Sequence, residues 1–138
     1  MPNFTKDKKR GNVGEQMVTA LLEKGGATVS IMGGNFPDYD LVIAYPKQNP
    51  YIAEVKTDFR VADTGNVAIE KQAIEHTKTR AWFYCLMLPT PEIHIVDIMK
   101  VKPWLYMYKS GNYGEHQEKV FLIPYQDFKS KFSIKQIK

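Results

Sequence analysis

The sequence predicts an α/β fold in which a central mixed sheet is flanked by helices. Three observations lead to this prediction. Apolar residues recur at helical spacing over residues 12–24, and they alternate at strand spacing over residues 41–44 and 51–56. A continuous apolar run over residues 83–88 ends at Pro89 and Pro91, which predicts a strongly apolar strand.

Length and composition favour one domain over residues 1–138, since 43% of the residues are hydrophobic. The basic segments 1–11 and 126–138 at its two ends are expected to be flexible. Cys85 is the single cysteine, so an intramolecular disulfide is excluded and a reducing compartment is expected. No apolar stretch is long enough to span a bilayer. These features predict a soluble cytoplasmic protein without a membrane partner, in the host cytoplasm if the source is viral.

The net charge of +4 makes an anionic partner plausible. Candidate nucleic-acid contacts are basic residues before the first predicted helix and in the helix predicted over residues 73–81. They are Lys8, Lys9, Arg10, Lys78 and Arg80. The alternatives are a solvated tail for the first three and a polar helix face for the last two. Charge alone does not decide between these interpretations.

The first predicted helix covers residues 12–24 and ends at Gly25 and Gly26, which permit a left-handed termination. Glu15 lies seven residues before Leu22, nearly in line with it and on the border of the apolar face. A carboxylate there needs a partner. The alternative is an exposed glutamate that favours the helix N-terminus.

The central hairpin is predicted from residues 41–44, a turn over 45–50, and residues 51–56. Alternation places Glu54 and Lys56 on one face of the second strand. If the strands pair, Asp40 can approach Glu54, and two close carboxylates repel unless a cation lies between them. Such oxygen ligands suit Mg²⁺, and Lys56 could orient a water or neutralise a phosphate. This chemistry would hydrolyse a phosphodiester bond.

The order Glu15, Asp40 and then Glu54-Val55-Lys56 resembles the PD-(D/E)XK nuclease superfamily, which includes restriction endonucleases and Holliday junction resolvases. The likeness covers about the first eighty residues. It implies a restriction-endonuclease-like fold, a DNA substrate, and Mg²⁺ as cofactor with Mn²⁺ as a substitute. Pro37-Asp38 is the literal "PD", but Asp40 directly precedes the strand and is favoured; Asp38 stays an alternative ligand.

Glu70 is a possible additional site residue. A turn at residues 64–66 precedes a strand over residues 67–70 in which Ala68 and Glu70 share a face. The stretch Thr-Gly-Asn-Val-x-x-Glu resembles phage members of the same superfamily. The alternative is a glutamate at a strand end that pairs with a lysine.

The remaining pattern predicts strands over residues 27–32, 83–88, 93–96 and 120–124, with residues 33–35 and 110–114 as a turn and a mobile loop. Helices are predicted over residues 73–81, 97–108 and 126–131, and Pro103 is expected to kink the second of these or to start a new helix.

The functional prediction is a metal-dependent DNA endonuclease, resolvase-like or otherwise structure-selective. A non-catalytic nucleic-acid-binding protein of the same fold is the first alternative, and a small interaction protein with a chance charge pattern is the second. Glu-x-Lys alone is a weak signal, because such pairs alternate on exposed strands. A homodimer and the DNA structure that is cut are left open.

Overall fold

A computed structural model describes residues 4–32, 39–77, 79, 81–108, 110–113, 118–132 and 134–136; for 4–12, 72, 73, 76, 110–113, 118 and 134–136 it describes the backbone alone. The helices are α1 (Phe4–Lys24), α2 (Val61–Thr64), α3 (Lys71–His76), α4 (Ile98–Leu105) and α5 (Tyr125–Lys131). The strands are β1 (Thr28–Ile31), β2 (Leu41–Ala44), β3 (Tyr51–Asp58), β4 (Asn66–Glu70), β5 (Ala81–Leu86), β6 (Glu92–Asp97), β7 (Ser110–Tyr113), β8 (Glu118–Pro124) and β9 (Ile134–Gln136).

The central sheet has the strand order β1-β2-β3-β5-β6-β9, and a second sheet has the order β4-β8-β7. The central sheet is mixed, because β3 and β5 pair in parallel while their outer neighbours pair antiparallel. Segment 59–80, which contains α2, β4 and α3, makes the crossover between the parallel strands. The predicted α/β fold with a central mixed sheet is confirmed.

The central sheet is buried on both faces by different partners. On one face, Val18 and Leu22 of α1 share a core with Leu41, Ile43 and Phe83. On the other face lies a larger core that joins β5 to the second sheet and to α4 and α5. Its members include Trp82, Tyr84, Leu86, Ile69, Ile123, Leu105 and Phe128. The apolar run of β5 is therefore buried on both sides.

Helix α1 approaches the sheet closely at Gly14. A Cβ atom added there would collide with the side chain of Thr57 on β3, so glycine allows an approach that other residues would prevent. The Gly14 carbonyl also accepts a hydrogen bond from Cys85 Sγ at 3.6 Å. Burial raises the pKa of the Cys85 thiol to about 12, so this cysteine packs as a small apolar group and is not an activated nucleophile.

Three predicted helices have boundaries that are wrong by more than one residue, and the one predicted over residues 97–108 is α4, which ends at Leu105. Helix α1 begins at Phe4 rather than at residue 12, because the charged residues of its first turns favour helix. The helix predicted over residues 73–81 is α3, which ends at His76. Thr79 N–H donates to the Thr77 hydroxyl, and such side-chain bonds compete with helix continuation. Strand β5 therefore begins at Ala81, two residues earlier than predicted.

The C-terminal part contains more strand than the pattern predicts. Residues 110–113, expected in a mobile loop, form β7 and pair with β8. Strand β9 was not predicted; it follows α5 and pairs with β6 at the sheet edge, within the segment expected to be flexible. Helix α4 is capped by Asp97 and continues through Pro103 without a second helix beginning there. The predicted turn at residues 33–35 lies outside the described residues. None of the helices described is both long enough and apolar enough to cross a bilayer.

We predict that Gly14→Ala destabilises the protein, although alanine is favoured over glycine by about 1 kcal/mol in an ordinary helix interior. The added methyl group must displace Thr57 or move α1, and overpacking of this kind costs about 1–3 kcal/mol. Gly25→Ala is the matched control, because the nearest atom to its added Cβ is a carbonyl oxygen at 3.4 Å. Urea unfolding should rank Gly14→Ala below the wild type and Gly25→Ala close to it. Equal midpoints for the two variants would contradict the close approach.

Candidate active site

The position of Asp40 is fixed by three hydrogen bonds at the start of β2. Its N–H donates to the Ala53 carbonyl at 3.0 Å, and its carbonyl accepts from Met32 N–H at 2.9 Å. Its Oδ2 accepts from the Val55 N–H at 2.8 Å. Because Leu41 pairs with Ala53, one further step of this ladder sets Asp40 opposite Glu54. The first carboxylate is therefore bonded to the backbone of the strand that carries the second.

Glu54 is half-buried on β3, on the face opposite Ala53 and Val55. Burial raises the pKa of its carboxyl above 4.5, and the charges of Asp40 and Glu70 raise it further. Lys56 and a hydrogen bond from the Thr77 side chain act in the opposite direction. The net upward shift means that the ionised carboxylate is insufficiently solvated and compensated where it lies.

Glu15 enters the same region from α1. Burial raises the pKa of its carboxyl, and the charge of Asp40 raises it further. It is half-buried, as expected for the border of the apolar face, and it directly follows Gly14, where the helix is closest to β3. The structure therefore brings the predicted helical carboxylate within electrostatic reach of the predicted strand carboxylate.

Glu70 reaches Glu54 from the second sheet. It ends β4 on the half-buried face that also carries Ala68, while Val67 and Ile69 point into the core. The carboxylate of Asp58 connects the two sheets here. Its Oδ1 accepts from the N–H of Val61 at 2.9 Å, and its Oδ2 accepts from the N–H of Ala68 at 3.2 Å. Asp58 thus fixes β4, and with it Glu70, relative to β3.

Lys56 lies over an anchored tryptophan. Its Nζ is 5.7 Å from the centre of the Trp82 ring, a cation–π distance. The indole N–H of Trp82 donates to the hydroxyls of Thr77 at 3.1 Å and Thr79 at 3.0 Å. The Thr77 side chain also lowers the pKa of Glu54, so Thr77 belongs to the surroundings of both Glu54 and the ring under Lys56. The lysine is held beside Glu54 by packing on a buried ring.

The charges of several carboxylates act on Tyr84. It is fully buried in β5, in register with Lys56. Burial raises the pKa of its hydroxyl well above 10.0, and the charges of Glu70, Glu54 and Asp58 raise it further. Carboxylates of β3 and β4 therefore converge on one side of the central sheet.

The structure places five of the predicted site residues in one connected region: Glu15, Asp40, Glu54, Lys56 and Glu70. The alternative ligand Asp38, and the predicted DNA contacts Lys78 and Arg80, lie outside the described residues. Lys8, Lys9 and Arg10 belong to α1 rather than to a segment before the helix, and their side chains lie outside the described part. Their roles stay predictions.

Four supporting residues were missed by sequence reasoning: Asp58, Thr77, Thr79 and Trp82. Asp58 had a usable signal, because it shares a strand face with Glu54 and Lys56 at a spacing of two. The threonines had none, since residues 73–81 were expected to be one helix. Trp82 lay outside the predicted strand and became assignable only through its parallel pairing with Glu54.

Within the part of the chain that is described, no three carboxylate, histidine or cysteine side chains enclose a common point at metal-binding distance. The donor set still fits Mg²⁺, which is usually held by one or two carboxylates, with waters and substrate phosphates completing its octahedron. Asp40 and Glu54 supply two hard oxygen donors on adjoining strands, and a bound cation would oppose the burial and the carboxylate charges that raise the pKa of Glu54. The residues present therefore fit a magnesium ion without forming a closed cage.

The comparisons with known proteins bear on the fold. A solved structure titled as that of a bacterial homing endonuclease, I-Ssp6803I, matches with a TM-score of 0.53 and 19% identity over 84% of this chain and 74% of that chain. No family model matches the sequence, and no curated protein matches it. The chain therefore shares its fold with a bacterial homing endonuclease.

We predict that Glu15→Gln stabilises the metal-free protein at neutral pH. The folded-state pKa of Glu15 is raised, so the folded protein binds this proton more readily than the unfolded chain. The stability that protonated Glu15 contributes is then lost as the pH rises from 4.5 through the raised pKa, and the free energy of unfolding stays lower above that value. Glutamine removes the charge and with it this loss.

Urea unfolding in EDTA should therefore place Glu15→Gln above the wild type at neutral pH, with the two converging below pH 4.5. Glu23→Gln is the matched control, because Glu23 lies on the exposed end of the same helix. A Glu15→Gln variant less stable than the wild type at neutral pH would show that the carboxylate is satisfied where it lies.

Proposed function

We propose that this protein is a metal-dependent DNA endonuclease of the PD-(D/E)XK type. The observation that carries the proposal is the hydrogen bond from Val55 N–H to Asp40, which ties one carboxylate to the strand that carries Glu54 and Lys56. The fold shared with a homing endonuclease supports the same class of activity. The order of the acids along the chain is the third support.

Asp40 and Glu54 are the proposed ligands of Mg²⁺, or of Mn²⁺ in its place, and Glu15 adds charge from α1. Asp40 Oδ2 already accepts the hydrogen bond from the Val55 N–H, so Oδ1 is its proposed metal-binding atom. A bound divalent cation would supply electrostatic stabilisation of the attacked phosphate and acidify a bound water. Such a cation would also relieve the repulsion that raises the pKa of Glu54.

Lys56 has the proposed role of holding positive charge next to the scissile phosphate. Its ammonium is positioned by the Trp82 ring and lies close enough to Glu54 to lower the pKa of that carboxyl. From there it can orient the attacking water and offset the charge that builds on the phosphate in the transition state. Glu70 is a candidate additional residue of the same site, because Asp58 fixes β4 next to β3 and the charge of Glu70 acts on Glu54.

DNA is the proposed partner, and a resolvase-like or other structure-selective reaction is the proposed specificity. The net charge of +4 supports a polyanionic ligand. A homodimer is compatible with such a reaction, because two cuts need two sites. The absence of a closed three-ligand cluster among the described side chains favours one competing function, a DNA-binding protein of the same fold that does not cleave.

We predict that Asp40→Asn and Glu54→Gln each abolish cleavage of DNA by the protein with Mg²⁺, because each removes one anionic ligand without changing side-chain size. Glu23→Gln, an exposed change on α1, should leave cleavage intact. The assay is single-turnover cleavage of labelled linear and branched DNA with Mg²⁺, Mn²⁺ or EDTA. Wild-type rates in either site variant would contradict the metal assignment.

We also predict that Lys56→Met lowers the single-turnover rate by roughly two orders of magnitude or more, with DNA and metal binding largely retained. Methionine keeps an apolar stem over Trp82 but removes the ammonium. Lys24→Met, at the exposed end of α1, is the control for loss of a lysine charge. An unchanged rate in Lys56→Met would remove this lysine from the reaction. DNA binding without cleavage by the wild type under all metal conditions would favour the non-catalytic alternative.

A further inference from the structure

An exposed aromatic ring is held in a fixed position at the end of α4. Tyr106, directly after α4, is 45% exposed, and the following Met107 is 81% exposed. The Tyr106 hydroxyl donates to Glu75 at 3.0 Å, and its ring packs edge-on with Phe121 at 5.2 Å. The Lys71 ammonium lies 5.6 Å from the ring centre. The ring is therefore oriented by the protein while much of it faces solvent.

This platform, defined as Tyr106 with Lys71, adjoins the proposed active site through the chain itself. Lys71 directly follows Glu70, the carboxylate whose charge raises the pKa of Glu54. Glu70 ends β4 and directly precedes the first residue of α3, which is Lys71. A ligand that contacts both Tyr106 and Lys71 would therefore reach the residue that follows Glu70 in the chain.

Helices α4 and α5 carry lysines beside aromatic rings, and the acid that contacts the platform, Glu75, is bonded to the Tyr106 hydroxyl. Helix α4 carries Lys100 and Lys102 and has no acidic residue. On α5, Lys131 lies over Trp104 of α4, and Lys129 lies over Tyr125, with each ammonium 5.7 Å from the ring centre. Lysines over aromatic rings suit a ligand that offers phosphates and flat bases together. An apolar protein partner would gain little from these charges.

We propose that Tyr106 is a stacking platform for an unpaired base and that Lys71 binds a neighbouring phosphate. In a duplex the faces of the bases are covered by their neighbours, so only an unpaired nucleotide can stack on a side chain. The substrate of the proposed nuclease would then carry a single-stranded segment next to the cleaved bond, as in a flap or an open junction. This inference rests on the proposed function only where it concerns cleavage. Binding of an unpaired base by Tyr106 and Lys71 does not depend on it.

The test compares Tyr106→Leu with Tyr106→Phe in EDTA, where no metal-dependent cleavage occurs. The probes are fluorescein-labelled oligothymidylate, a blunt duplex and a duplex with a single-stranded flap, measured by fluorescence anisotropy. Tyr106→Leu keeps an apolar contact with Phe121 but loses the stacking face, so its Kd for single-stranded and flap DNA should rise about 5-fold to 150-fold. Binding of the blunt duplex should not change. Tyr106→Phe keeps the ring and should bind like the wild type.

Three results would overturn the platform. They are an unchanged Kd in Tyr106→Leu, an equal loss on the blunt duplex, or a loss in Tyr106→Phe as large as in Tyr106→Leu, which would assign the effect to the bond with Glu75. A shift of Tyr106→Leu from dimer to monomer on gel filtration, with DNA binding intact, would show an interface between copies instead. If Tyr106→Leu fails to fold, Lys71→Met decides: it should weaken single-strand binding and lower the salt dependence by about one phosphate contact.

Failure of this inference and failure of the proposed function are distinguishable. A wild type that binds the flap through Tyr106 but cuts nothing with Mg²⁺ supports the platform and contradicts the nuclease. A wild type that cuts DNA with Mg²⁺, together with a Tyr106→Leu variant that binds single strands normally, supports the nuclease and contradicts the platform.

Discussion

The hydrogen bond from the Val55 N–H to the Asp40 carboxylate is the contact on which the candidate site depends. At 2.8 Å it joins the start of β2 to the middle of β3, and it turns a position before a strand into part of the sheet. Once Asp40 is fixed there, Glu54 opposes it, and Glu15 meets its charge from α1. The upward pKa shifts of Glu15 and Glu54 follow from this placement and from burial. A divalent cation bound between these carboxylates would reduce the repulsion between them.

The second half of the site is supplied by the crossover between the parallel strands β3 and β5. This connection carries Glu70 on β4, and Thr77 and Thr79 between α3 and β5. Asp58 fixes its start by bonding the backbone of α2 and β4, and the threonines fix its end on the indole of Trp82. The crossover therefore positions Glu70, whose charge acts on Glu54, and the threonines that anchor the Trp82 ring under Lys56. Changes in this crossover are expected to act on the site without touching a reacting atom.

Sequence reasoning recovered the hairpin well, because its signals are local. Alternation assigned opposite faces to Glu54 and Val55, and the position of Asp40 before an apolar strand placed it at the strand start. The elements that were missed depend on distant partners. Strand β9 exists through its pairing with β6, and β7 through its pairing with β8, so neither has a strong pattern of its own. The contacts around Lys56 were hidden for the same reason, since the parallel pairing that brings them together joins residues 28 positions apart, such as Glu54 and Trp82.

The central claim is that the converging carboxylates bind a divalent cation. Isothermal titration of Mn²⁺ and Mg²⁺ into the metal-free protein measures this directly, with Asp40→Asn as the site variant and Glu23→Gln as the matched control. The wild type and the control should bind the cation with equal affinity, and binding should raise the thermal unfolding midpoint, because a ligand of the folded state alone stabilises it. Asp40→Asn should lose both effects. Equal affinities in Asp40→Asn and the wild type would contradict the account.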